Sequence, residues 1–131
     1  MDARTQRYEA AVSRYQAESG RNPDRYWQAF LWIATARGAL WEQLAPGISW
    51  RHGEVEDFGH VLGLSDREKA LFDVARHLLT REGTLSLTDL ADMLDPDLWV
   101  EVLKGLQLYR GEQADPGFLR RLASLEERRA T

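Results

Sequence analysis

Apolar positions recur along this chain at the three-and-four spacing of a helix in every stretch long enough to show a period. Tyr8, Ala11, Val12 and Tyr15 make one stripe, which predicts a first helix over 3–18, closed by Gly20. Asn22-Pro23-Asp24 then reads as N-cap, first helical residue and first-turn acid of a second helix over 23–44. Its apolar groups (Tyr26, Trp27, Phe30, Leu31, Ile33, Ala34, Leu40, Trp41, Leu44) surround most of its circumference, so it is expected at the centre of the fold. Gly38 offers a place where another helix can come close.

Ala45-Pro46-Gly47 breaks the pattern. Between Gly47 and Gly63 the reading is a loop followed by a short helix over 54–62, with Val55, Phe58, Val61 and Leu62 facing inward. Ser65-Asp66-Arg67-Glu68 is a capping box that opens a helix over 66–82, with Leu71, Val74, Ala75, Leu78 and Leu79 in its stripe and Gly83 as its stop. Ser86 with Asp89 starts a short helix over 87–94, and Asp95-Pro96-Asp97 starts another over 97–110, before Gly111. Asp115-Pro116 repeats the start signal for a last helix with Phe118, Leu119, Leu122 and Leu125 on one face. Thr84 to Leu87 alternates like a strand, but its last two residues already serve the next cap. The expected fold is all-α: one domain over 1–131, a compact orthogonal bundle of six to seven helices, with a trihelical helix-turn-helix-like unit at 66–110.

Composition narrows the chemistry. The 131 residues include five Trp and no Cys, which excludes disulfides, thiolate nucleophiles and thiolate metal clusters. The opening residues, Met1 to Arg7, lead into further polar groups without an apolar run, so no secretory signal is expected and the cytoplasm is the expected compartment. The most apolar run, Phe30 to Ala36, is too short to span a bilayer, so no membrane partner is expected.

Net charge is −4. The excess of acids over bases sits in 46–64 and 83–111, and no basic block exists to follow a phosphate backbone. This weighs against the DNA reader that 66–110 resembles in outline. Its would-be recognition helix opens with Asp97, Leu98 and Trp99, and Asp89, Asp92, Asp95, Asp97 and Glu101 face only Lys104 and Arg110. Helix capping accounts for most of those acids.

Three constellations could carry function. His52, Glu56 and His60 fall at i, i+4 and i+8, so on a continuous helix two imidazoles and a carboxylate would share one face and could hold a divalent metal, the only cofactor entertained. Gly53 and Gly59 argue against such a helix. Asp73 and His77 form an i,i+4 pair, but no nucleophile is placed beside them. Trp32, Trp50, Leu98 and Leu108 lie off the main stripes. Either their helices are buried on two sides or these groups form a contact surface for a protein partner or a second copy. Phosphate-loop, dinucleotide and hydrolase signatures are absent. The leading expectation is a non-enzymatic cytoplasmic helical protein acting through protein contacts, with a homodimer as one form those contacts can take. The alternatives are a helix-turn-helix regulator and a metal-dependent enzyme built on the 52–60 cluster.

Overall fold

The computed structural model of the chain describes residues 2–58, 61 and 63–111. Among them are six helices: α1 (Ala3–Ser19), α2 (Arg25–Ala34), α3 (Gly38–Leu44), α4 (Asp66–Thr80), α5 (Leu87–Met93) and α6 (Pro96–Tyr109). The bundle is all-α apart from a small hairpin of β1 (Ile48–Ser49) and β2 (Glu54–Val55). No helix among the described residues is long and apolar enough to cross a membrane. The last helix expected after Pro116 lies outside the described residues.

The element starts follow local chemistry. Asp2 caps α1 through Thr5 N–H at 2.7 Å, and Ser65 and Glu68 close both halves of the capping box on α4. Ser86 caps α5, and Asp95 caps α6 with Pro96 in its first turn. At α2 the cap is Asp24, which accepts from Trp27 N–H at 2.9 Å, not Asn22. Asn22 instead accepts from Gln16 Nε2 at 3.0 Å. α4 stops at Thr80, short of Gly83, because Arg81 takes the left-handed conformation (φ 62°) and its N–H reaches back to His77 O at 2.8 Å.

α2 is the axis of the fold. Phe30, Leu31 and Ile33 are 0% exposed, with α4 and α6 against its sides and α1 across it. The close approach expected at Gly38 occurs elsewhere. A Cβ at Gly105 would stand 2.6 Å from Ile33 Cδ1, whereas one at Gly38 would meet only an Arg7 nitrogen at 3.8 Å. Gly105 therefore lets α6 lie directly on α2.

The expected single helix over 23–44 is two helices. Thr35 Oγ1 donates to Leu31 O at 2.6 Å, Ala36 N–H tightens onto Ile33 O, and Arg37 is extended (φ −129°, ψ 132°). The carbonyls released at this break are collected by α1. Arg4 donates to Trp32 O and, at 2.6 Å, to Thr35 Oγ1. Arg7 donates to Thr35 O at 3.0 Å and to Ala36 O at 3.4 Å.

Arg4 is the hub of a closed polar node. Its guanidinium also pairs with Glu101 of α6 at 3.0 Å. It lies 3.6 Å from the Trp32 ring centroid, with Lys104 Nζ at 3.7 Å and Tyr8 edge-on at 5.0 Å. The indole therefore meets two cations at close range. Its Nε1–H donates to Glu101 O at 3.1 Å. Burial pulls the Arg4 and Lys104 pKa values down while Glu101 opposes the shift in each, and burial pushes Tyr8 up.

Candidate metal centre

The segment after α3 is a hairpin, where the short helix over 54–62 was expected. Ile48 pairs with Val55 and Ser49 with Glu54, in antiparallel register. Two glycines enforce this path. Gly53 takes the left-handed conformation (φ 65°) that favours glycine, and a Cβ there would stand 2.8 Å from both Tyr15 Oη and Arg21 Nη2, so those side-chain ends would have to shift. A Cβ at Gly47 would run into the carbonyl of Asp57. Gly47 O accepts from Glu56 N–H at 2.8 Å and Asp57 N–H at 3.3 Å, which ties the chain after β2 back to the start of the hairpin.

The hairpin is anchored from beneath. Trp50 is 4% exposed, meets Trp41 edge-on at 5.9 Å and carries the Arg14 guanidinium 4.7 Å from its centroid. Arg21 Nη2 donates to His52 O at 3.3 Å, tying the turn to the α1–α2 connection. Beyond the hairpin, Phe58 sits between Phe30 and Phe72 at 6.4 and 6.0 Å.

Above this base, His52, Glu54 and Glu56 are exposed and offer ligand atoms that all lie within 4.8 Å of one another. In extended backbone Glu54 and Glu56 fall on the same side, because side chains alternate with a period of two. His52 Nδ1 lies 2.8 Å from Ser49 Oγ, which orients the ring; with Nδ1 as the donor, the Nε2 lone pair can serve an ion. Donors around one ion stand about 3 Å apart, so the carboxylates would need to close inward slightly, which exposed glutamates do through rotamer change. One imidazole and two carboxylates can together hold a divalent ion and leave positions for water.

The expected ligands His52 and Glu56 therefore come together, by strand geometry and not by a helix. His60 lies outside the described residues. Glu54 was missed because the helical reading selected positions four apart, while a strand selects positions two apart.

The other expected sites resolve differently. Trp32, Trp50 and Leu98 are 5%, 4% and 3% exposed, and Leu108 is half-buried against the core. Burial within the fold accounts for the place of Trp32, Trp50 and Leu98 off the main stripes and takes these three out of an exposed patch, whereas Leu108 keeps part of its surface. His77 Nδ1 meets Glu82 O at 3.1 Å in place of a bond to Asp73. In the acid row, Asp95 caps α6 and is bridged by Arg67 at 3.2 Å and Arg37 at 3.9 Å. The node around Arg4 had no sequence signal, since its members lie up to 97 positions apart. No family profile, curated protein or solved structure matches the chain.

Proposed function

We propose that the protein is a helical metal-binding domain whose 47–58 hairpin takes a divalent transition ion on His52 Nε2, Glu54 and Glu56, acting as a binder and not as a catalyst. The observation that carries this reading is the convergence of one imidazole and two carboxylates within 4.8 Å on a braced turn. A single imidazole with two carboxylates suits Zn²⁺ or Mn²⁺ better than Mg²⁺, which favours oxygen-only sets and keeps most of its waters.

Calorimetric titration of the untagged, chelator-stripped chain with Zn²⁺, Mn²⁺ and Mg²⁺ tests the reading. H52A, E54Q and E56Q should each weaken the best ion about tenfold or more, and S49A, which frees the imidazole, about tenfold. H60A should leave affinity unchanged. Loss with H60A but not with E54Q would restore the 52/56/60 ligand set, and no binding of any ion would end the proposal.

A second reading, contact with another protein or a second copy, has its own observation. Leu87 is 75% exposed at the start of α5, and Met93 and Leu106 are 44% and 42% exposed. Light scattering on L87E against the parent chain tests it: equal mass at high concentration in both removes self-association through α5. A DNA-reading role is less favoured, because Leu98, Val102 and Gly105 of α6 are buried and its entry carries Asp95 and Asp97.

A further inference from the structure

We infer that the chain's own residues 112–131 cover the groove between α1 and the start of α2. This groove, about 480 Å³, has Tyr8, Val12 and Pro23 among its lining residues, with Gln16, Asn22 and Gln28 beside them. Tyr8 and Val12 are half-buried and packed on the core, and Pro23 is buried, so the floor is apolar and incompletely covered. The rim amides are already engaged: Gln16 Nε2 donates to Asn22, and Gln28 Nε2 donates to Pro23 O, each at 3.0 Å. Glu9 is the one formal charge among the lining residues. A rim of amides with a single acid around an apolar floor suits an apolar helix face, not a phosphate or a strongly charged peptide.

The occupant follows from where the described chain ends. Tyr109, the last residue of α6, meets Tyr26 edge-on at 5.2 Å. A Cβ at Gly111 would stand 3.5 Å from Arg25 Cδ. Gly111 is left-handed (φ 82°), with its N–H on Leu108 O at 2.9 Å, so the chain turns off the α6 axis beside the start of α2. Arg25 and Gln28 are three residues apart on α2, about 4.5 Å along the helix. The seven steps from Gly111 to Phe118 reach about 23 Å when extended, ample to enter the groove. Phe118, Leu119, Leu122 and Leu125 are the apolar face that the sequence pattern gives this segment, and such a face needs a surface to cover.

The absence of native cysteine makes the test direct. V12C is paired in turn with L119C, L122C and L125C in the full chain and oxidised mildly, and the products are separated without reductant. A disulfide within one chain is expected for at least one pair, and none for V12C with L87C as control. Disulfides only between chains would assign the groove to a second copy, and no disulfide would leave the segment elsewhere; either result overturns the proposal. Hydrogen exchange on full-length L122E gives an independent reading that needs no new cysteine. Amides of residues 8–16 should exchange at least tenfold faster than in the parent chain, and unchanged protection there overturns the proposal as well.

Discussion

Two groups of polar side chains lean on α1 from opposite ends, and they use their hydrogen-bonding capacity in opposite ways. At the start of α1, Arg4 donates to Trp32 O, Thr35 Oγ1 and Glu101, and Arg7 donates to the carbonyls of Thr35 and Ala36. Near its end, Arg21 donates to His52 O and Tyr15 lies close against Gly53, while His52, Glu54 and Glu56 stay exposed above them. The first group closes on itself and satisfies backbone groups that a helix break set free. The second keeps an imidazole nitrogen and two carboxylates turned outward on a braced support. Polar groups whose partners all lie within the chain hold the fold; groups with capacity left over are available to a ligand.

The sharpest way to break this comparison is to remove Arg4. R4M keeps much of the aliphatic stem but strands Glu101 and uncaps Trp32 O at the end of α2. The expected loss is about 3 kcal/mol in urea unfolding, as for other partly buried pairs broken on one side. R4M/E101Q should recover part of it, because the stranded carboxylate is the costly remnant. A loss below about 1 kcal/mol would mean that water replaces Arg4 adequately, and the node would not be structural.

What was legible in the sequence divides along the same line. Caps and stripes are local, so Ser65 with Glu68, Ser86 and Asp95-Pro96 announced their helices, and Leu71, Val74, Ala75 and Leu78 their buried face. The break after Ala34 was not legible, because its stabilisation comes from Arg4 and Arg7, about thirty residues earlier. The hairpin was misread for a related reason. Val55, Phe58 and Val61 fall at helical spacing, while the deciding facts are the lack of room at Gly47 against the Asp57 carbonyl and the left-handed turn at Gly53, which only the folded chain reveals. His52 and Glu56 were found through a period that the backbone does not have, and Glu54 was lost for the same reason. Buried Trp32 and Trp50 resembled surplus because a single-helix stripe cannot show that a second element covers them.

A smaller effect is expected at the contact that brings α6 onto the node. G105A gains about 1 kcal/mol of helix propensity but drives a methyl into Ile33, whose Cδ1 and Cγ1 would lie 2.6 and 2.9 Å away. Ile33 is fully enclosed, so overpacking of about 1–3 kcal/mol should prevail and leave a net loss of about 1 kcal/mol. In an I33V background, which lacks Cδ1, the cost of G105A should shrink. An equal cost in both backgrounds would show that the approach is not limited at that atom.

Lys104 provides a pH test of the closed end. Burial lowers its pKa from 10.5, so the folded chain loses this proton before the unfolded chain does. Its contribution to stability is therefore fully present above 10.5 and is lost as pH falls through the lowered folded value. Tyr8 and Tyr15, raised by burial from 10.0, act in the opposite sense above that pH. The clean window thus lies just below 10, where the parent chain should gain stability with rising pH more steeply than K104M. Parallel profiles for the two would show that the lysine is too well solvated for its place on Trp32 to matter.

The smallest expected effect is the most discriminating for the open end. If Glu54 and Glu56 serve a ligand and not the fold, neutralising both without metal should change unfolding free energy by no more than about 0.5 kcal/mol, in the range of ordinary surface substitutions. The sign should be slightly favourable, because the pair are like charges two positions apart whose ligand atoms lie within 4.8 Å. E54Q/E56Q melted in chelator beside the parent chain reads this directly. A loss approaching that of R4M would make these carboxylates part of the hairpin's own support, and the two ends of α1 would then be built on one principle.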